Sequence, residues 1–178
     1  PSLNSVVRLD LLEKETPERI EEIWLEHLKN KRCISAVVPR MCYDQLKPRY
    51  KACPMFVLPW EQSEGSYVPV MFNAQDNTHF YTLVNDIKKM PNSHNPQLMV
   101  HFFTELQKTK DIVLLKGDFI GDLFTPNDGQ FLAGVTQIFY LNDEWYEKYV
   151  VPCNRTPEKF NFEEVVKQLF SLEGDPEV

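Results

Sequence analysis

The sequence predicts an α+β fold: a single domain in which a mainly antiparallel β-sheet is flanked by helices. Three observations carry that expectation. Residues 53–84 hold three apolar runs rich in Val, Phe, Tyr and Thr, separated by the turn-forming stretches 61–65 and 73–77, which is the pattern of an antiparallel meander. Helical spacing takes over near both ends, at residues 20–28 and 165–170. A chain of 178 residues with 43% apolar content suffices for one ordinary core, and no internal repeat or low-complexity tract divides it.

In order, the chain reads as an N-terminal segment or short helix (1–14), a sheet-forming core (33–116), and a loop with C-terminal helices (117–178). Val6, Val7, Leu9, Leu11 and Leu12 outline the first helix. Thr16 suits an N-cap and Pro17 the first helical position. Ile20, Ile23, Trp24, His27 and Leu28 then recur on one face, while Glu18, Glu21, Glu22 and Glu26 cover the other. Residues 33–38 read as a buried strand ended by Pro39, and 40–52 as a helix that Pro48 should kink or end. Pro59 and Pro69 cannot donate to a ladder, so each needs an edge, a bulge or an outward-pointing position.

Residues 87–96 read as loop, 97–104 as strand, 105–110 as a polar connection and 111–116 as an apolar strand core ended by Gly117. An exposed crossing follows over 117–130. Phe131, Leu132, Val135, Ile138 and Phe139 then place a helix over 127–141, capped by Asn127 or Asp128 despite Gly129 and Gly134. Residues 143–151 leave helix and strand both open. Asn161 and Glu164 form a capping box for the last helix, whose apolar face is Val165, Val166, Leu169 and Phe170 before Gly174.

Net charge is −7 with a pI of about 5.1, and the longest basic cluster is residues 29–32, so the electrostatic drive for binding nucleic acid is missing. No apolar run approaches the 18 or so residues needed to span a bilayer, and no membrane insertion is expected. The chain opens on Pro1 rather than methionine, so it is expected to be the processed or trimmed part of a longer precursor. Cys33, Cys42, Cys53 and Cys153 contain no CxxC pair and read as reduced thiols acting as small hydrophobes.

The glycines match no phosphate loop, and no cofactor is expected. His27, His79, His94 and His101 share no metal-ligand spacing. His79 and His101 could be neighbours on adjacent strands, either as a structural pair or as the kernel of a small-molecule enzyme site. Asp118 and Asp122 read as solvated turn residues, and the tripeptide Asn154-Arg155-Thr156 as a chance glycosylation match, since Pro157 follows it.

Alternation offers a less bland feature. Leu98, Val100 and Phe102 share one strand face, and Met99, His101 and Phe103 the other. Similarly, Tyr81 and His79 oppose Phe80 and Val84, and Tyr67 and Met71 oppose Val68, Val70 and Phe72. One side of the sheet is then aliphatic core and the other a softer Met, Tyr, His and Phe surface, a composition shared with protein interfaces. Candidate partner-binding residues are Tyr67, Met71, Tyr81, Met99 and Phe103, with Trp145, Tyr146 and Tyr149 as a second group. The competing reading is a face covered by the protein's own helices.

Several strings together resemble one family: residues 11–14 through 16–24, Cys53-Pro54-x-Phe56 with Leu58-Pro59, residues 111–114, Gln137-x-Phe139-Tyr140, and Asn154-x-x-Pro157-x-x-Phe160. The sequence is similar over about residues 11–170 to the mitochondrial ATP synthase assembly factors that chaperone the β subunit of the catalytic sector. Asp111 stands where that family has glycine before the apolar strand. The resemblance implies a matrix protein imported by a cleaved presequence. It implies a monomer that binds unassembled β subunit and prevents its aggregation until α subunit replaces it, with neither catalysis nor cofactor. A passive structural subunit is the alternative within the same complex.

Overall fold

The computed structural model describes residues 1–170. A six-stranded sheet in the order β1-β6-β5-β4-β3-β2 organises them, and every neighbouring pair is antiparallel. The strands are β1 (Cys33–Pro39), β2 (Met55–Ser63), β3 (Ser66–Gln75), β4 (Thr78–Leu83), β5 (Leu98–Phe103) and β6 (Ile112–Phe119). Strands β2 to β6 form one continuous meander, as expected from residues 53–84, and β1 closes against β6 at the far end.

A turn at Leu3–Ser5 and helices α1 (Leu9–Leu12) and α2 (Pro17–Leu28) precede the sheet. In α2 the Thr16 hydroxyl accepts the Arg19 N–H, Pro17 opens the helix, and Ile20, Trp24 and Leu28 are buried, as their spacing predicts. Helix α3 (Arg40–Ala52) carries the chain from the β1 edge to the β2 edge. It continues through Pro48, because the carbonyl that this proline leaves unpaired belongs to Asp44 on the exposed side of the helix.

Residues expected to be loop begin instead as α4 (Val84–Lys89), and the polar connection before β6 contains α5 (Gln107–Lys110). Asp111 follows at φ 57°, the left-handed position usually given to glycine; a short polar side chain tolerates it, and its carboxylate meets Arg40 at 3.3 Å. Strand β6 does not stop at Gly117. It runs to Phe119, and glycine is needed there because a Cβ would lie 2.4 Å from Ile34 Cγ1 on the neighbouring strand.

Helix α6 (Pro126–Leu141) is capped by Thr125 through a full capping box with Asp128, rather than by Asn127 or Asp128. Residues 143–155 are helical throughout: α7 (Asp143–Trp145), one π-helical turn (Tyr146–Val150) and α8 (Val151–Arg155). Helix α9 (Phe162–Phe170) starts at Asn161, whose side chain accepts the Glu163 N–H. Its expected stop at Gly174 lies outside the described residues.

Helices α3, α6, α8 and α9 pack on one sheet face around Phe56, Leu58, Phe72, Tyr81, Val100 and Leu115, which forms the main core. A second, smaller core lies on the other face. There Leu3, Leu12, Ile20, Trp24 and Leu28 cover Phe103, Ile112 and Leu114, and the Trp24 indole donates to the Leu115 carbonyl at 3.1 Å.

The β2 edge is sealed by α8. Asn154 holds both the N–H and the carbonyl of Met55, at 3.0 and 2.6 Å, and the Val57 N–H meets the Cys153 thiol. Two residues on, the next outward position is Pro59, which has no N–H and lies directly opposite Pro69. No strand can therefore add here without first displacing α8.

Candidate partner-binding surface

The turn at Asp76 and Asn77 sets the β3–β4 register, pairing Gln75 with Thr78, Ala74 with His79, Asn73 with Phe80 and Phe72 with Tyr81. Because side chains alternate, His79 and Tyr81 share the core face with Phe72, while Phe80 joins Met71, Asn73 and Thr82 on the opposite face. This reverses the assignment made for β4 from the sequence. On β5 the expected alternation holds: Leu98, Val100 and Phe102 face the main core, and Met99 pairs with Phe80 on the other side.

The soft face is thus divided. Over β1, β6 and part of β5 the N-terminal helices cover it as the second core; over β2, β3 and β4 they do not. On the uncovered half a groove of about 360 Å³ is bounded by Met55, Met71, Phe80 and Thr82 from the sheet and by Ile87 and Pro96 from the segment after β4. Met55 is 40% exposed, and Met71, Phe80 and Met99 are half-buried. Among the described residues no Asp, Glu, Lys or Arg lines the groove, and His94 is its only ionisable neighbour. An uncharged concavity floored by methionine and phenylalanine can accept apolar side chains of varied shape.

The eight candidates named from the sequence scatter around this geometry. Met71 floors the groove and Met99 shares its face. Tyr67 is half-buried near the β2–β3 turn, with its ring 4.5 Å from that of Phe170. Tyr81 is buried in the main core, where its hydroxyl meets Thr136 Oγ1 at 2.8 Å and burial raises its pKa far above the usual tyrosine value. Phe103 is buried beneath Trp24, with ring centroids 5.8 Å apart.

Of the second group, Trp145 is half-buried with its ring 5.0 Å from Phe139. Tyr146 is buried beside Tyr140 with the Arg49 guanidinium over its ring, and desolvation pushes its pKa up to about 12. Tyr149 is buried and donates to Gln168 at 2.9 Å. Tyr81, Phe103, Tyr146 and Tyr149 therefore serve packing and present no exposed ring. Met55, Phe80 and Ile87 were not expected, and the signal that would have found Phe80 is the two-residue hairpin loop.

The same register separates the two histidines. His79 is buried among Tyr50, Phe72 and Phe102, and desolvation lowers its pKa to about 3. His101 lies on the opposite sheet face, where its Nδ1 is 3.2 Å from the Thr78 hydroxyl. They do not form a pair. Among the described residues no group of three or more His, Cys, Asp or Glu could hold a metal ion, and no helix is long and apolar enough to cross a membrane.

The family model described as ATP11 protein matches residues 1–166. Over 169 residues the chain is 31% identical to the ATP synthase mitochondrial F1 complex assembly factor 1 of Danio rerio, covering 94% of this chain and 56% of that protein. The human protein of the same name is 27% identical over 170 residues, covering 94% of this chain and 51% of the relative. Protein atp11, mitochondrial, of Schizosaccharomyces pombe is 24% identical over 147 residues, 80% of this chain and 51% of that protein. The chain thus spans about half the length of the curated relatives it matches. On the breadth of the family match and the zebrafish identity, the chain belongs to the ATP11 family.

Proposed function

We propose that the chain acts in assembly of the F1 sector of mitochondrial ATP synthase, in the matrix, as a stoichiometric chaperone. It binds the unassembled β subunit and keeps it from aggregating until the α subunit takes its place. The names of the zebrafish and human relatives support the role in F1 assembly, and that of the fission-yeast relative supports the mitochondrion. The single structural observation that carries the reading is the uncovered half of the second sheet face, with Met55, Met71, Phe80 and Ile87 around an uncharged groove. Contiguous apolar surface left open on a folded domain marks interaction sites.

On this reading no catalytic step is needed. An apolar groove covers part of the β-subunit surface destined for α, and release follows by mass action, because the larger α–β interface buries more surface and displaces a smaller contact. Right-angle light scattering of isolated β subunit diluted from denaturant tests the proposal. An equimolar amount of the chain should suppress the rise in scattering, and an unchanged rise would contradict the chaperone role.

A further inference from the structure

The two edges of the sheet differ. At β2, α8 and Pro59 occupy the outward backbone positions; at β1, which pairs with β6 alone, no group among the described residues does the same. We propose that the β1 edge is a docking site for an extended, uncharged apolar segment of another protein, which joins the sheet as a further strand.

The register identifies the open groups. Arg40 donates to the Asp111 carbonyl at 2.9 Å, so the residues of β1 that exchange hydrogen bonds with β6 are the even-numbered ones, Ile34, Ala36 and Val38. Cys33, Ser35, Val37 and Pro39 turn their backbone groups away from the sheet. The Cys33 N–H is taken by the Lys31 carbonyl at 2.9 Å, and Pro39 has none. What remains is the N–H and carbonyl of Ser35 and of Val37, about 7 Å apart along the strand. That spacing matches one ligand chemistry, the backbone of another extended chain, which exchanges an N–H and a carbonyl with each residue in turn.

Composition leaves this edge unguarded. Edge strands are ordinarily protected by charge, proline, a bulge or a covering element. Residues 33–38 hold no charge and no proline, and their register against β6 is unbroken, whereas β2 shifts register between Glu61 and Ser63. The side chains then define the added strand. Ala36 packs on the main core and Val37 on the second, from opposite faces of β1, and both stay half-buried. A strand laid beside them extends both cores at once, so its own residues are apolar on both faces, as in the interior of a sheet. Segments of that kind are hidden in finished proteins and accessible before folding or assembly is complete. Strand β1 and the β2–β4 groove lie at opposite ends of the sheet, so the inference does not rest on which subunit the groove binds.

A fluorescein-labelled peptide, Lys-Lys-Thr-Val-Ile-Val-Thr-Lys-Lys amide, titrated with the full chain up to about 1 mM and read by anisotropy, tests the proposal. Saturable binding with a Kd on the order of 100 µM is expected for so small a contact. The same peptide N-methylated throughout its apolar core keeps its side chains and charge but loses its donors, and should bind at least tenfold more weakly. Ser35→Pro removes one outward N–H that makes no bond to β6, and should weaken the unmethylated peptide at least tenfold at an unchanged Tm. Hydrogen exchange reads the same edge without a substitution: the Ser35 and Val37 amides should exchange rapidly in the free chain and at least tenfold more slowly with saturating peptide. Absence of binding, equal binding of the methylated peptide, undiminished affinity in a folded Ser35→Pro chain, or amides already protected in the free chain would overturn the inference. Protection that appears only as the chain itself is concentrated would overturn it too, by marking β1 as a contact between copies.

Discussion

At His79 an ordinary side chain is held in an unusual state by its surroundings. Ring centroids of Tyr50, Phe102 and Phe72 lie 4.4, 4.7 and 4.9 Å away, and burial lowers its pKa from 6.5 to about 3. The unfolded chain takes up this proton near pH 6.5, and the folded chain does not until about pH 3. Stability is therefore lost as pH falls through that window, by about 1.4 kcal/mol per pH unit from this group. His101, also shifted down by burial, adds loss of the same sign. Replacing His79 with Leu should make the pH dependence of urea unfolding visibly shallower between pH 6 and 4. Equal slopes in the two proteins would show that His79 is not buried in its neutral form.

At the scale of elements, two glycines that look alike in the sequence should behave oppositely. Gly117 lies under Ile34 in a central strand, so Gly117→Ala forces a clash and should destabilise by about 1–3 kcal/mol. Gly134 faces open space with no positive φ, so Gly134→Ala should stabilise by about 0.5–1 kcal/mol. Thermal unfolding of both variants, compared with the parent chain, separates them by the direction of the Tm change.

The elements were largely legible because local signals and tertiary packing agree. Thr16, Pro17 and the Ile20, Trp24, Leu28 stripe of α2 are one case, and Pro59 on the edge strand β2, opposite Pro69, is another. The parity of β4 was misread because residues 73–77 looked like one five-residue turn; the true loop is Asp76 and Asn77, and its length alone reverses every side chain of the strand. Phe131, Leu132, Val135, Ile138 and Phe139 placed α6 correctly, yet Phe131 and Ile138 stay 38% and 49% exposed. Helical spacing groups residues by angle but does not say how wide the buried arc is, and here neighbouring elements cover only part of it.

For the whole molecule, the candidate surface was legible in composition but not in position. The sequence showed a Met-rich and aromatic face on β3 and β5, and the N-terminal helices cover one half of it while the other half stays open. Leu12, Ile20, Trp24 and Leu28 cover the β1–β6 half, and Met55, Met71 and Phe80 remain open on the β2–β4 half. How far a helical layer extends over a sheet depends on the lengths and crossing of packed elements, which no local pattern encodes. That division is also what makes a binding role physically reasonable: one face and half of the other supply the stability, and the remaining half is free to be apolar without being core.

The most direct measurement is therefore the affinity of isolated β subunit for the chain with a charge placed in the groove. Met71→Glu and Met55→Glu, each checked for an unchanged Tm, should weaken binding in biolayer interferometry at least tenfold, because burying an unpaired carboxylate against an apolar partner costs several kcal/mol. Affinity equal to that of the parent chain in both variants would contradict the account.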